Sequence, residues 1–348
     1  MEAKGQHIVA IIGLGLIGGS LGMALKRAGL AGLEVVGYDK GWGVGGKAQR
    51  VGAVDRSARD SRSAVREASL VIIATPILGI RTVMEEIAPE LPDGCVVTDT
   101  GSAKVPIMAW ADELLPDHVH FVGGHPMAGK ERSGIEAAEA SLFDGAPYCI
   151  APSVRAEERA VKSVIALAEV AGARPVFIDA QEHDTYVAAV SHLPLVVSTA
   201  LFTLASQSQA WPDMAGLAAG GFRELTRLAS TDPEMSHDIC FTNRENLLHW
   251  LDRFSGEISR YKELIQGDDE ALFKAFARAQ MDRETFLQRP QELRPAAAPE
   301  AETMSAGERM LSFLVGEHWL RRAKDIGKVL EERRKREREE LERRLRER

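Results

Sequence analysis

Residues 7–22 read His7-Ile-Val-Ala-Ile-Ile12-Gly13-Leu-Gly15-Leu-Ile-Gly18-Gly-Ser-Leu-Gly22. A short apolar run meets three glycines spaced G-x-G-x-x-G, and Leu16 to Ala28 continues with the spacing of a helix. Between a strand and a helix, this glycine pattern is the cradle of a dinucleotide. Gly13 permits the tight turn, Gly15 lets the backbone approach a pyrophosphate, and Gly18 lets the helix pack closely on the strand. The helix start, with Leu16 and Ile17, offers N–H groups and a partial positive charge to the phosphates.

Working outward, the same rhythm repeats. LEVVGY (33–38) ends at Asp39, ASLVIIA (68–74) at Thr75-Pro76, CVVT (95–98) at Asp99, and 118–122 at Gly123. Continuous apolar strands alternating with helical stretches predict a parallel sheet covered on both faces. Residues 148–150 and 175–178 extend it, with a helix over 155–171 between them. After Asp179 every apolar pattern is helical: 182–205, 224–229, 233–243, 244–265 and 268–287. Three segments follow: a sheet domain over 1–178, a helical domain over 179–290, and a linker with a charged helical tail over 291–348. The linker is rich in Pro and Ala, and the tail alternates Glu and Arg as a solvated helix does.

At 348 residues the chain is long enough for two cores. A net charge of -8 argues against a general nucleic-acid binder. Cys95, Cys149 and Cys240 are far apart and form no C-x-x-C pair, so neither a disulfide framework nor a zinc site is expected, and a reducing cytoplasm fits. The N-terminus lacks the features of a secretory signal. Residues 187–204 are the most apolar long stretch. They include His192 and Pro194 and are expected to form a buried core helix rather than a membrane span.

Asp39 stands about 20 residues beyond the glycines, where a carboxylate accepts the ribose hydroxyls and repels a 2′-phosphate. NAD is therefore favoured over NADP, with the adjacent Lys40 the one residue pulling the other way. Thr75, Pro76 and residues 100–102 end the next two strands, where ligands of open parallel sheets lie. His125, within Gly123-Gly124-His125-Pro126-Met127-Ala128-Gly129, is expected in a loop after a strand, as a general base suited to neutral pH. Ser102 either caps a helix starting near Ala103 or faces the ligand. Arg227, in a largely apolar helical region, calls for an anionic partner.

These segments together resemble the prephenate/arogenate dehydrogenase family of tyrosine biosynthesis. The resemblance spans roughly residues 7–285. It rests on GLGLIGGSLG (13–22), TDTGSAK (98–104), GGHPMAGKERSG (123–134), SHLP (191–194) and GGFRELTRLASTDP (220–233). It implies a Rossmann-type domain followed by an all-helical dimerisation domain, and oxidation of a cyclohexadienol by NAD with loss of CO2. His125 would take the ring hydroxyl's proton, Ser102 would hold that hydroxyl, and Arg227 would bind a substrate carboxylate. Glu131 would gate the site, and His192 would lie near the substrate pocket. A homodimer through the helical domain is implied as well. Leu195 stands where some relatives carry a further His. Neither a metal, a nucleic acid nor a membrane enters this reading. Prephenate is the expected substrate, with arogenate, or both, as the alternative. A β-hydroxyacid-type dehydrogenase is more distant, because it would use a helix-borne Lys. A non-catalytic dinucleotide sensor would not need His125, Ser102 and Arg227 together.

Overall fold

The computed structural model describes residues 7–130, 132–267 and 269–288. Strands β1 (His7–Ile12), β2 (Leu33–Tyr38), β3 (Arg56–Ser57), β4 (Ala68–Ile73), β5 (Val96–Asp99), β6 (His120–Pro126), β7 (Pro147–Pro152) and β8 (Arg174–Phe177) form one sheet. Their order is β3-β2-β1-β4-β5-β6-β7-β8. The chain leaves β1 toward β2 on one side and returns to β4 on the other. The crevice at the carboxyl ends of β1 and β4 is thus the topological switch point where open α/β sheets bind ligands.

Helices α1 (Leu16–Arg27), α2 (Val44–Arg50), α3 (Ser61–Val65), α4 (Ile77–Ile87), α5 (Val105–Leu114) and α6 (Glu158–Val170) accompany the sheet. Successive side chains of a strand point to opposite faces. In β1, Val9 and Ile11 accordingly join one core with Leu21 and Leu25 of α1 and Val164 and Leu167 of α6. Ile8, Ala10 and Ile12 join the other with Ile80 and Met84 of α4 and Ile107 of α5. Burial on both faces explains why the strands read as unbroken apolar runs.

The sheet is not wholly parallel. β7 runs antiparallel to β6, while β8 pairs parallel with β7. A parallel return needs a crossover unit, usually a helix. Only the short 3-10 turn Ile135–Ala137 lies between β6 and β7, among the described residues, and the chain doubles back instead.

Beyond β8, Asp179 accepts hydrogen bonds from the Gln181 and Glu182 N–H groups and opens α7 (Ala180–Val187). The helical domain continues with α8 (Leu193–Ser206), α9 (Trp211–Leu217), α10 (Gly220–Leu225), α11 (Pro233–Thr242), α12 (Arg244–Gly267) and α13 (Asp269–Gln288). A π-turn, Ala188–His192, joins α7 to α8. Pro194 follows at once; it has no N–H to give to Val190 and its ring crowds that carbonyl. The expected buried core helix is a correction: only 28% of the apolar stretch within Ala180–Ser206 is buried in the single chain. One face packs on the sheet domain, where Leu195 and Ile239 of α11 enter the α4–α5 core. By length and composition the helix could cross a membrane. His183, Asp184 and His192, however, bind it into a buried polar cluster, described next.

Candidate active site

The glycine loop has the geometry of a dinucleotide cradle. Gly13 adopts φ +95°, and a Cβ there would meet the Ala74 carbonyl oxygen at 2.5 Å. A Cβ on Gly18 would lie 1.9 Å from the Gly13 oxygen, so α1 packs this closely only with glycine. Nothing lies within 4 Å of the corresponding point on Gly15, which leaves room for a pyrophosphate. No side chain caps α1, so its first N–H groups face that space. Asp39 accepts hydrogen bonds from Leu14 N (2.8 Å) and Gly41 N (2.7 Å), and these fix its carboxylate at the end of β2. Thr75 Oγ1, beyond β4, is buried without a hydrogen-bond partner among the described residues. These residues fit a dinucleotide with a free ribose hydroxyl pair. NAD bound there would lie over Gly13–Gly18, with Asp39 at its ribose.

Beside this crevice, the ends of β5 and β6 are clamped by a buried ion pair. Lys104 Nζ donates to Asp99 Oδ2 and to the Gly124 carbonyl (2.7 Å), and both charged side chains are fully buried. Asp99 also accepts from Gly101 N (2.7 Å) and Gly124 N (3.1 Å). Gly124 has no space for a side chain: a Cβ would lie 2.6 Å from the Asp99 oxygen and 2.9 Å from Tyr148 Oη. Glycine therefore lets β6 run on through His125 to Pro126. The expectation that His125 lies in a loop is corrected accordingly. It sits at the carboxyl end of a strand, paired with Cys149 of β7.

His125 is buried, and its Nδ1 lies 2.9 Å from His183 Nε2. His183 Nδ1 lies 2.7 Å from Asp184 Oδ1. Asp184 in turn accepts the backbone N–H groups of Lys104 (2.7 Å) and Val105 (2.9 Å). One carboxylate from the helical domain thus caps α5 of the sheet domain and holds His183. Burial first, then the neighbouring His183, Lys104 and His192, push the His125 pKa well below the ordinary 6.5. His125 is a neutral imidazole at neutral pH.

His192, on the π-turn, receives the Asn243 side-chain amide at Nδ1 (3.1 Å), and the same amide nitrogen donates to the Asp184 carbonyl (2.7 Å). Its Nε2 is buried near the Ser102 backbone without a well-formed hydrogen bond. Burial pushes His192 down to about 4.

The fold thus brings His125, His192 and the Ser102 loop together. Ser102 does not cap α5, which starts at Val105; Asp184 takes that role. Arg227 is exposed, on the 3-10 turn Arg227–Ser230, and the neighbouring Leu228 packs on the α4–α5 core. Glu131 lies outside the described residues. Sequence reading missed His183, Asp184, Lys104 and Asn243. Lys104 stood inside the TGSAK segment but gave no sign of burial. His183 and His192 are nine residues apart, which on a regular α-helix places them about 180° apart. The π-turn changes that rotation and lets both contribute to the surroundings of His125.

A dinucleotide crevice with a neutral imidazole on the same sheet edge defines a nicotinamide-dependent dehydrogenase with a helical second domain. Residues 21–177 match the model for the prephenate dehydrogenase nucleotide-binding domain, and residues 179–278 that for the prephenate dehydrogenase dimerization domain. The chain belongs to the prephenate dehydrogenase family. A prephenate dehydrogenase of Bacillus subtilis is 35% identical over 277 residues, covering 79% of this chain and 74% of the relative. A cyclohexadienyl dehydrogenase of Zymomonas mobilis is 33% identical over 293 residues, covering 83% and 99%. The crystal structure of prephenate dehydrogenase from A. aeolicus, in complex with hydroxyphenyl propionate and NAD+, aligns with a TM-score of 0.75 at 29% identity. It covers 82% of this chain and 100% of that one.

Proposed function

We propose that the protein catalyses the NAD-dependent oxidative decarboxylation of prephenate to 4-hydroxyphenylpyruvate, CO2 and NADH, in tyrosine biosynthesis. The observation that carries this reading is His125: a buried imidazole, uncharged at neutral pH, at the carboxyl end of β6 beside the cradle. Bound NAD supplies the hydride acceptor. His125 Nε2, the ring nitrogen not engaged by His183, accepts the proton of the substrate's ring hydroxyl as hydride leaves the same carbon. Ser102 holds that hydroxyl in register. Arg227 binds a substrate carboxylate, His192 lines the pocket, and Glu131 gates it. Thr75 and Pro76 flank the nicotinamide, and Gly13 to Gly18 and Asp39 carry the rest of the cofactor. Loss of hydride gives a dienone, and decarboxylation then restores an aromatic ring, which drives the reaction forward.

The working units are the sheet domain over 1–178 and the helical domain over 179–290; the expected linker and tail over 291–348 lie outside the described residues. The helical domain pairs two copies into a homodimer. Free Cys95, Cys149 and Cys240 fit a reducing, cytoplasmic setting. The test is NADH formation by the purified protein with NAD or NADP and prephenate or arogenate. Turnover of prephenate with NAD is expected; silence with every pair would overturn the reading. The Zymomonas mobilis relative favours a second reading, in which arogenate is accepted too. In that reading Glu224, exposed on α10 three residues before Arg227, would meet the arogenate ammonium.

A further inference from the structure

The hydrogen bonds around His125 form a chain whose polarity can be followed from its fixed end. That end is Asp184. Both its oxygens accept backbone N–H groups, from Lys104 and Val105, and a backbone N–H can only donate. A carboxylate so held offers His183 Nδ1 only an acceptor, so Nδ1 carries the proton. With a single proton on the His183 ring, the other nitrogen, Nε2, is bare and able to accept. With that polarity the bond at 2.9 Å runs from His125 Nδ1–H to His183 Nε2. This leaves the lone pair of His125 on Nε2.

We propose that His183 and Asp184 are positioning residues that fix the tautomer of His125 with Nε2 bare, and that they oppose the positive charge it acquires. The role rests on His125 being the base proposed above. When the substrate hydroxyl's proton moves to Nε2, the N–H bond forms there and the O–H bond breaks. The oxygen's electron pair then forms the carbonyl as hydride departs. His125 becomes an imidazolium, its Nδ1–H bond to His183 becomes charge-assisted, and the Asp184 carboxylate stands at the far end as counter-charge. The contacts of Asp184 with α5 are all backbone donors, so its oxygens act there only as acceptors.

The arrangement works against the other charges that face His125. Lys104, ahead of α5, is paired with Asp99 of β5, and His192, whose pKa burial lowers to about 4, brings no charge from the π-turn. Cys149 and Tyr148 of β7 pair with His125 and Pro126, and burial raises both their pKa values, so they bring no charge. Asp184 is therefore the anion aligned with the imidazole, through His183. A purely structural pair would need no particular polarity. Here both ring nitrogens of His183 are spent between a base and a carboxylate, with the side chain fully buried.

Histidine-nitrogen NMR of the intact protein, assigned with His125→Asn and His183→Gln, reads the tautomer without any turnover. The expected state is His125 protonated at Nδ1 and bare at Nε2. The reverse polarity, with His183 doubly protonated and donating to His125, would put a proton on Nε2 and overturn the proposal. Kinetics supply the second readout. His183→Leu removes the acceptor and should lower kcat by about 10²–10⁴-fold, the range of general acid–base assistance, with KM for prephenate little changed. His183→Gln retains an amide oxygen able to accept Nδ1–H and should turn over faster than His183→Leu. Asp184→Asn also loses the α5 cap, so NAD binding and thermal melting accompany each variant to separate misfolding from mispositioning. Equal kcat in wild type, His183→Leu and His183→Gln would overturn the proposal. Wild-type turnover in His125→Asn, with the tautomer as drawn, would instead remove the base reading.

Discussion

His125 draws its chemistry from what surrounds it. A histidine in water would lose activity as pH falls through 6.5, its ordinary value; burial moves that limit well below. A base must be unprotonated, so kcat/KM should stay flat through 6.5 on the acid side, and a limb centred there would contradict the account. His192 carries a stability signature of the same sign. Its pKa is lowered to about 4, so between about 6.5 and about 4 the unfolded chain binds a proton that the folded chain refuses. Its contribution is complete above about 6.5 and is lost as pH falls toward about 4, roughly 3 kcal/mol by linkage. Urea titrations across that window should show the fall, and a flat midpoint would contradict it. Lys104→Met should cost about 3–5 kcal/mol, because it strands the buried Asp99 carboxylate; a midpoint within experimental scatter of wild type would refute this. At this scale the sequence pointed to His125, Ser102, His192 and Asp39 through motifs. Lys104 and His183 could not be read the same way, because their burial and partners depend on contacts between segments far apart in the chain.

Elements were legible wherever one periodicity governed them. The β1–α1 unit, β2, β4 and β5 followed from apolar runs and the residues that end them, Gly13, Asp39, Thr75-Pro76 and Asp99. β6 ran past its predicted end because Gly123 and Gly124, read as loop residues, serve close packing inside a strand. β3, of two exposed residues, carried no pattern to find. The π-turn breaks the 3.6-residue period on which helix reading depends, and it does so where His192 enters the site. Helix capping across the domain boundary was invisible for a similar reason. Asp184 caps α5 from α7. Asp238 of α11 accepts Leu78 N at the start of α4 (3.0 Å) from 160 residues away. Both capped helices begin beside the cofactor crevice, so these carboxylates set the helical domain against it. Asp238→Ala should cost about 0.5–2 kcal/mol as a lost cap, read as a lower denaturation midpoint at unchanged slope. An unchanged midpoint would show the contact to be idle.

The whole molecule is built to be covered. An apolar groove of about 960 Å³ runs between α8, α11 and α12, lined by residues including Leu195, Phe241, Leu247, Leu248 and Leu251. Phe241 and Leu248 are more than half exposed in the single chain, and the segment matches a dimerization domain. A second copy seated there would bury this apolar area and complete the core that α8 lacks. Leu248→Asp should therefore shift the mass in light scattering from dimer toward monomer, and a monomeric wild type would contradict the arrangement. Two domains, two interdomain caps and the buried His125 converge on a single reaction. The most direct test compares NADH formation from prephenate and NAD by the wild-type protein and by His125→Asn. The account predicts turnover in the wild type, and a loss of about 10²–10⁴-fold in the variant with NAD binding retained. A variant as fast as the wild type would contradict it.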